Sequence, residues 1–362
     1  MFDLDQILMN AVAHGASDIH LKSGHRPFLR INRTLVESTA ETVPPHALME
    51  AILRILPPHL VEQYKAQHEA DFAYAVVGVG RFRVNAYMAQ GVPVLSLRNV
   101  KTEIPTFEQL HLPKVLEQIA SARRGIIIIS GTTGSGKSTT LAAIVECINL
   151  RSRRRIVTVE DPVEYLFTDR MSVITQREVG IDTDSFDQAL KHVLRQDPDV
   201  IVIGEMRDPK SLKTALSAAE TGHLVLTTLH AATAPVSIPR MLELLPNDEG
   251  ENARLVLAST LQAVICQRLI RGQEGGVLPA VEVMLNTAVI KHALEQNKLE
   301  VLPDAIEAGE LDGMQSFNQA IRAMIAAGKI SEEEGLKFAS NPAELRRTLG
   351  GIQPMNRKIL MR

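Results

Sequence analysis

Two hydrophobic periods organise the first hundred residues. Over residues 2–14, Leu4, Ile7, Leu8, Ala11 and Val12 recur at helical spacing and Gly15 follows as a stop, which predicts a short amphipathic helix. Asp18–Lys22 and Phe28–Asn32 then alternate with period two, as strands do. Helical spacing returns over 46–56 and 58–68, divided by Pro57-Pro58. The runs 71–77, 81–88 and 92–98, with Gly78-Val79-Gly80 between the first two, predict a β-meander. Residues 1–99 therefore read as a mixed α+β domain, without a phosphate loop or metal cluster.

Residues 100–112 carry Pro105 and scattered polar positions and read as a linker. From 113 the pattern changes to short, fully apolar runs at 125–130, 155–159, 171–175, 199–203 and 223–228, separated by helical stretches. Such strands belong to a mostly parallel sheet buried on both faces, an α/β domain. From about 230 the chain reads as mainly helical, apart from a β-like segment at 277–285. The second domain is thus expected over 113–362, with a core over 113–272 and a helical part over 273–362. The basic tail, 356–362, is expected to be mobile.

Composition narrows the function classes. The 362 residues suffice for two or three domains. A net charge of -3 argues against a generic nucleic-acid binder, and 4% aromatics with no Trp against a base-stacking platform. Cys147 and Cys266 are too few for a disulfide framework or a four-cysteine zinc site and read as core thiols on apolar helices. The opening MFDLDQILMN is acidic, unlike a signal peptide, and every apolar run falls short of the ~20 residues of a membrane span. The expectation is a cytoplasmic protein without a transmembrane segment, able to dock on a membrane complex.

The chemistry begins at Gly131–Ser138, GTTGSGKS, which follows the apolar run 125–129 and precedes a helical stretch. Strand, G-x-x-x-x-G-K-[ST] loop and helix together make a phosphate-binding loop, so the chain binds a nucleoside triphosphate. Backbone N–H groups of Thr133, Gly134, Ser135, Gly136, Lys137, Ser138 and Thr139 would surround the phosphates, aided by the positive end of the helix. Lys137 should reach the β- and γ-phosphates, and Ser138 should hold Mg²⁺.

Three further segments place polar groups at strand ends. The second strand of this domain runs into Glu160-Asp161-Pro162-Val163-Glu164, where Glu160 and Glu164 either order Mg²⁺ or water or belong to a solvated loop. The strand at 199–203 leads to Gly204-Glu205-Met206-Arg207-Asp208. Glu205 is expected to activate water, and metal binding is the other role open to it. The run Thr221–His230 brings His223 to the start of a strand and His230 just past its end, roughly 23 Å apart on an extended chain, too far to share a metal. His230 is placed to sense the γ-phosphate, and His223 lies at the opposite edge. No arginine of this domain stands out beside the phosphate loop. The run Arg151–Arg155 reads as a solvated loop, with a subunit or lipid-headgroup contact as its alternative.

Together, GTTGSGKS, TVEDPVEY, LRQDPDVIVIGEMRD and AAETGHLVLTTLH resemble the Walker A, Asp box, Walker B and His box of the type II and type IV pilus secretion ATPases. ASDIHLKSG and GRFRVNAY are similar to that superfamily's N-terminal domain. Within it the chain resembles the PilT-type twitching-motility ATPases most: one domain precedes the motor, the four-cysteine module is missing, and REVGIDTDSF and GMQSFNQAI are similar to segments of that branch. Two positions depart from the pattern. Thr132 stands where the family usually has Pro, and Ala288–Leu294, AVIKHAL, stands where the branch has an AIRNLI-like motif.

The resemblance implies a RecA-like P-loop motor domain with a mostly parallel sheet, preceded by a smaller mixed α+β, PAS-like domain. It implies ATP and Mg²⁺ as ligands, a homohexameric ring, peripheral attachment at the cytoplasmic face of the inner membrane, and the pilus platform protein there as partner. A paralogous motor ATPase is a further partner, in keeping with the altered AVIKHAL segment. A phosphoryl-transfer site needs a cation opposite the leaving group. Arg81 and Arg83, on one strand face, and Arg98 are by resemblance the residues that approach the nucleotide. Residues 100–112 would be the hinge of a domain closure. The rival readings are an assembly or secretion motor, which lacks support without the zinc cysteines, an accessory ring of weak hydrolysis, and a RecA-type helicase, which charge and composition disfavour.

Overall fold

The computed structural model describes residues 2–31, 34–246 and 248–350, so the tail at 356–362 lies outside the described residues. The chain divides into two compact units. The first comprises Met1–Glu103 with Val163–Leu166, and the second Ile104–Pro162 and the chain from Phe167 onward.

In the first unit, Asp3 caps α1 (Leu4–Ala13) by accepting the Gln6 N–H, and Leu4, Leu8 and Ala11 are buried. Then follow β1 (Ala16–Lys22), β2 (Phe28–Ile31), β3 (Thr34–Glu37), α2 (Pro45–Ile55), α3 (Val61–Gln67), β4 (Glu69–Val76), β5 (Gly80–Ala89) and β6 (Val92–Val100). They form an antiparallel sheet of order β3-β2-β1-β6-β5-β4, which contains the expected meander. All four β3 residues are exposed, so no alternation marked that strand. Ile19, Leu21, Leu95 and Phe82 of the sheet share a core with Leu48 and Ile52 of α2.

The second unit runs α4 (Val115–Ala120), β7 (Gly125–Gly131), α5 (Lys137–Arg151), β8 (Arg155–Glu160), β9 (Val173–Glu178), α6 (Phe186–Val193), β10 (Val200–Ile203), α7 (Pro209–Glu220), β11 (Leu224–Leu229), α8 (Ala234–Leu242), α9 (Gly250–Thr260), β12 (Leu261–Arg271), β13 (Val277–Leu285), α10 (Ala288–Glu295), α11 (Leu302–Ala308), α12 (Phe317–Ala326), α13 (Glu332–Phe338) and α14 (Pro342–Leu349). The sheet order is β13-β12-β7-β11-β10-β8-β9, parallel except for the β12–β13 pair. Every residue of β7, β10 and β11 is buried, as fully apolar strands require. Ile126 and Ile128 enter one core and Ile127 and Ile129 the other, so β7 separates two helical layers.

The structure corrects the helical reading past 230. Residues 261–271 form β12, and Cys266 is buried on a strand, not a helix. A short apolar run buried on both faces has no period to reveal it. The outer edge of β13 is met by Gln315: Val283 and Gln315 exchange backbone hydrogen bonds of 2.9 and 3.1 Å, and Gln315 Nε2 donates to the Val281 carbonyl at 2.7 Å. Three of the four arginines of 151–155 are held by partners, and Arg153 is exposed. Arg151 pairs with Glu117 at 2.9 Å, Arg154 donates to the Ala122 carbonyl at 2.7 Å, and Arg155 to the Gln196 carbonyl at 2.6 Å. Val100 closes β6, whereas Phe107 and Leu112 are buried in the core of the second unit. Among the described residues, no helix is long and apolar enough to cross a membrane.

Candidate functional site

The phosphate loop joins β7 to α5. Gly131, at φ +146°, would place a Cβ 2.5 Å from Ser135 Oγ and 2.6 Å from the Gln267 carbonyl oxygen, so only glycine fits there. Gly134 and Gly136 take φ of +77° and +92° and curl the loop into the helix. The α5 amides of Lys137, Ser138 and Thr139 begin the helix, where an N–H has no intrahelical carbonyl. No side chain caps α5 and no acid lies in its first turn, so its positive end suits a phosphate. Lys137 is buried and its Nζ donates to the Gly131 and Thr132 carbonyls at 2.9 and 3.1 Å.

Glu205 follows the carboxyl end of β10. Its neighbours fix the turn: Gly204 N–H donates to the Val159 carbonyl at 2.8 Å, Met206 N–H to the Thr228 carbonyl at 3.0 Å, and Thr228 Oγ1 to the Gly204 carbonyl at 2.7 Å. The Gly204 Cα lies so close to β8 that a Cβ there would sit 3.3 Å from the Glu160 Cα. His230, just past β11, then bridges two groups: Nδ1 lies 3.4 Å from Lys137 Nζ and Nε2 lies 3.2 Å from Glu205 Oε1. A neutral ring that accepts from Lys137 at Nδ1 and donates to Glu205 from Nε2 satisfies both contacts. The other Glu205 oxygen, Oε2, accepts from Arg207 Nη2 at 2.6 Å, and Arg207 Nη1 lies 3.6 Å from Asp161 Oδ2.

Lys137, His230, Glu205, Arg207 and Asp161 thus form one chain of contacts across the carboxyl ends of β7, β11, β10 and β8. Partial burial pulls the Glu205 carboxyl upward, but the hydrogen bond and charge of Arg207, with His230 and Lys137, outweigh it and hold Glu205 below the usual carboxylate range. Arg207 is raised by its hydrogen bond to Glu205. Arg207 is thus an arginine beside Glu205, a contact that the sequence reading did not single out. Arg207 lies two residues past Glu205 in an irregular stretch, where spacing does not say which way a side chain turns.

The remaining expected residues are placed as follows. Glu160 Oε1 accepts from Thr158 Oγ1 at 2.7 Å and Gln176 Nε2 at 3.1 Å. Glu164 is exposed, in the stretch 163–166 that belongs to the first unit, where Tyr165 forms a bridge with Lys101. His223 precedes β11 and bonds locally through Nδ1, 3.0 Å from the Ala218 carbonyl and 3.1 Å from Thr221 Oγ1. In the first unit Arg83 stands opposite Arg98, Arg98 opposite Asp18 and Asp18 opposite Arg30, so one row of four strands carries three cations and one acid. Asp18 is buried and accepts from Arg98 Nε at 2.7 Å. Arg81 lies two residues before Arg83 on the same face of β5.

Residues 2–277 match the family of type II/IV secretion system proteins. The type IV pilus ATPase PilU of Pseudomonas aeruginosa is 36% identical over 345 residues, 95% of this chain and 90% of that one. The type IV pilus retraction ATPase PilT of the same organism is 36% identical over 343 residues, 94% of this chain and 99% of that one. The crystal structure of the pilus retraction motor PilT with bound ADP superposes with a TM-score of 0.89 at 36% identity, covering 96% of this chain and 100% of that one. By sequence and by fold, the chain belongs to the type II/IV secretion system protein family.

Proposed function

We propose that this chain is an ATP-hydrolysing motor that powers type IV pilus retraction and twitching motility. One observation carries the chemistry: Lys137, His230, Glu205 and Arg207 form a continuous hydrogen-bonded chain at the strand ends beside the phosphate loop. Similarity to PilT and PilU over nearly the whole chain supports the biological role.

In this reading the α5 amides and the backbone of 133–139 hold the phosphates, and Lys137 turns from the loop carbonyls to the β- and γ-oxygens. Glu205, kept ionised by Arg207, takes the proton of the attacking water, and His230 orients that carboxylate and senses the γ-phosphate. Glu160 and Glu164 are the reserve acids. The Ser138 hydroxyl and Glu205 carboxylate are hard oxygen donors of the kind Mg²⁺ takes, and the ion when bound would neutralise phosphate charge. Arg81, Arg83 and Arg98 supply the cation opposite the leaving group, from the same chain or a neighbour in a homohexamer. Residues 1–99 close over 113–362 about a hinge at 100–112, and the ring acts on the platform protein at the cytoplasmic face of the inner membrane.

Surface pili counted in cells lacking the gene, beside cells carrying Glu205→Gln, test this. Retraction predicts more pili and lost twitching in both, and bald cells would reassign the chain to assembly or secretion. The similarity to PilU, equal in identity to that with PilT, favours as second reading an accessory ring beside a paralogous motor. A defect in the deletion but not in Glu205→Gln would select it.

A further inference from the structure

The loop that carries His230 is anchored away from the phosphate side. Ser130 Oγ lies 3.2 Å from both the Ala231 carbonyl oxygen and the Ala231 nitrogen, and Cys266 Sγ donates to the same carbonyl at 3.5 Å. Cys266 and Glu282 are direct partners across β12 and β13, and Arg268 is two residues along on the same face. All three side chains point at residues 231–234.

Glu282 is 5% exposed and its carboxylate meets the start of α8. Its Oε2 accepts the Ala234 N–H, the first of α8, at 2.5 Å. A first-turn amide has no partner inside its own helix, and the positive end of α8 meets this acid. Arg268 from β12 and Glu307 from α11 are charged groups that bear on it. Arg268 makes a parallel set of contacts. Its Nη2 donates to the Ala232 carbonyl at 3.2 Å, its Nη1 to the Phe338 carbonyl at the end of α13, and its guanidinium stands 3.8 Å over the Phe317 ring. The segment Gly313-Met314-Gln315, just before α12, is itself stitched to β13 at Val283, next to Glu282.

We propose that Glu282 and Arg268 are positioning residues that tie the His230 loop to α12 and α13, so that nucleotide at the phosphate loop and the placement of these C-terminal helices control one another. The inference rests on the ATPase reading above and extends that site to a pair of residues outside it. Each end of the tie is specific: residues 231–234 follow His230 directly, and Phe317 and Phe338 lie on α12 and α13. Because the coupling is reciprocal, a partner that shifts α12 would change nucleotide binding, and nucleotide would change α12.

The test uses the full chain, with Glu282→Gln, which keeps shape and one acceptor, and Arg268→Lys, which keeps the charge but loses the fork. Turnover of ATP·Mg²⁺ is measured together with backbone hydrogen exchange over 317–338, with and without nucleotide. We expect turnover about tenfold lower in each variant with KM changed less than about threefold, as for loss of one hydrogen bond to a charged group. We also expect a nucleotide-dependent change in exchange over 317–338 in the natural protein that is lost in Glu282→Gln. No such change in the natural protein, or its persistence in both variants, overturns the tie whatever the turnover. If Glu282→Gln does not fold, Arg268→Lys with natural turnover and exchange overturns it equally. A natural protein that binds ATP without hydrolysing it would instead reject the ATPase reading, and exchange would still decide the coupling.

Discussion

His230 and Glu205 meet at 3.2 Å across the ends of β11 and β10, with Lys137 on the far side of the imidazole. The ring therefore links the phosphate-loop lysine to the acid assigned to water. His230→Ala removes hydrogen bonds to two charged groups. Turnover should fall about 10–100-fold with nucleotide affinity nearly kept. Steady-state kinetics beside equilibrium binding of a fluorescent nucleotide checks this, and an equal loss in both would place His230 in binding instead.

Arg207 keeps the Glu205 carboxyl low despite its partial burial. A base with a depressed pKa stays ionised further into acid. The acid limb of the kcat/KM profile should therefore move to higher pH in Arg207→Ala, because burial then acts without its main opponent. An unmoved limb would show that Glu205 is not the group titrating.

Burial pushes the Glu282 carboxyl the other way, to about 7. In the unfolded chain it ionises in the ordinary carboxylate range, so between that range and pH 7 the folded state holds the extra proton. Stability should fall as pH rises through this window, by an amount of order 3 kcal/mol, and level off above it. Glu282→Gln should flatten that slope in thermal unfolding followed from pH 5 to 8.

Ile128 is fully buried at the centre of β7. Ile128→Ala leaves a cavity in the larger core and should cost about 2–5 kcal/mol. Denaturant unfolding with an unchanged m-value would confirm loss of packing, whereas a cost under 1 kcal/mol would mean the helices collapse onto the strand.

Arg83 lies in a row with Arg98, Asp18 and Arg30 where cations outnumber acids. Arg83→Ala should lower turnover about 10³-fold, as for loss of a transition-state arginine, and leave the oligomer intact by light scattering. Normal turnover would make the row a solvated sheet face.

Legibility followed burial. The phosphate loop was readable because its glycines and lysine have fixed spacing, β10 because it is apolar throughout, and β7 and β11 because their apolar runs are broken only by Ser130, Thr227 and Thr228. Glu205 and His230 were readable as residues at strand ends, but their contact was not, since it joins positions 25 apart in the chain. Strand β12 hid behind an apolar run without a period, and β3 behind a wholly exposed one. Arg207 and Glu282 escaped for different reasons. The first takes its role from a turn that no local pattern sets, and the second reads as an ordinary polar position in a strand until the helix that starts on it is known.

The hydrogen bonds that Gln315 makes along β13 have a consequence for assembly. A sheet margin normally recruits strands, but around Val281 and Val283 its acceptors and donors are already taken by the chain itself. Neighbouring copies cannot pair with the Val283 backbone, so a contact at those positions would be built from side chains. Contacts of that kind can slide and re-form with each turnover, whereas a shared ladder would have to be unzipped.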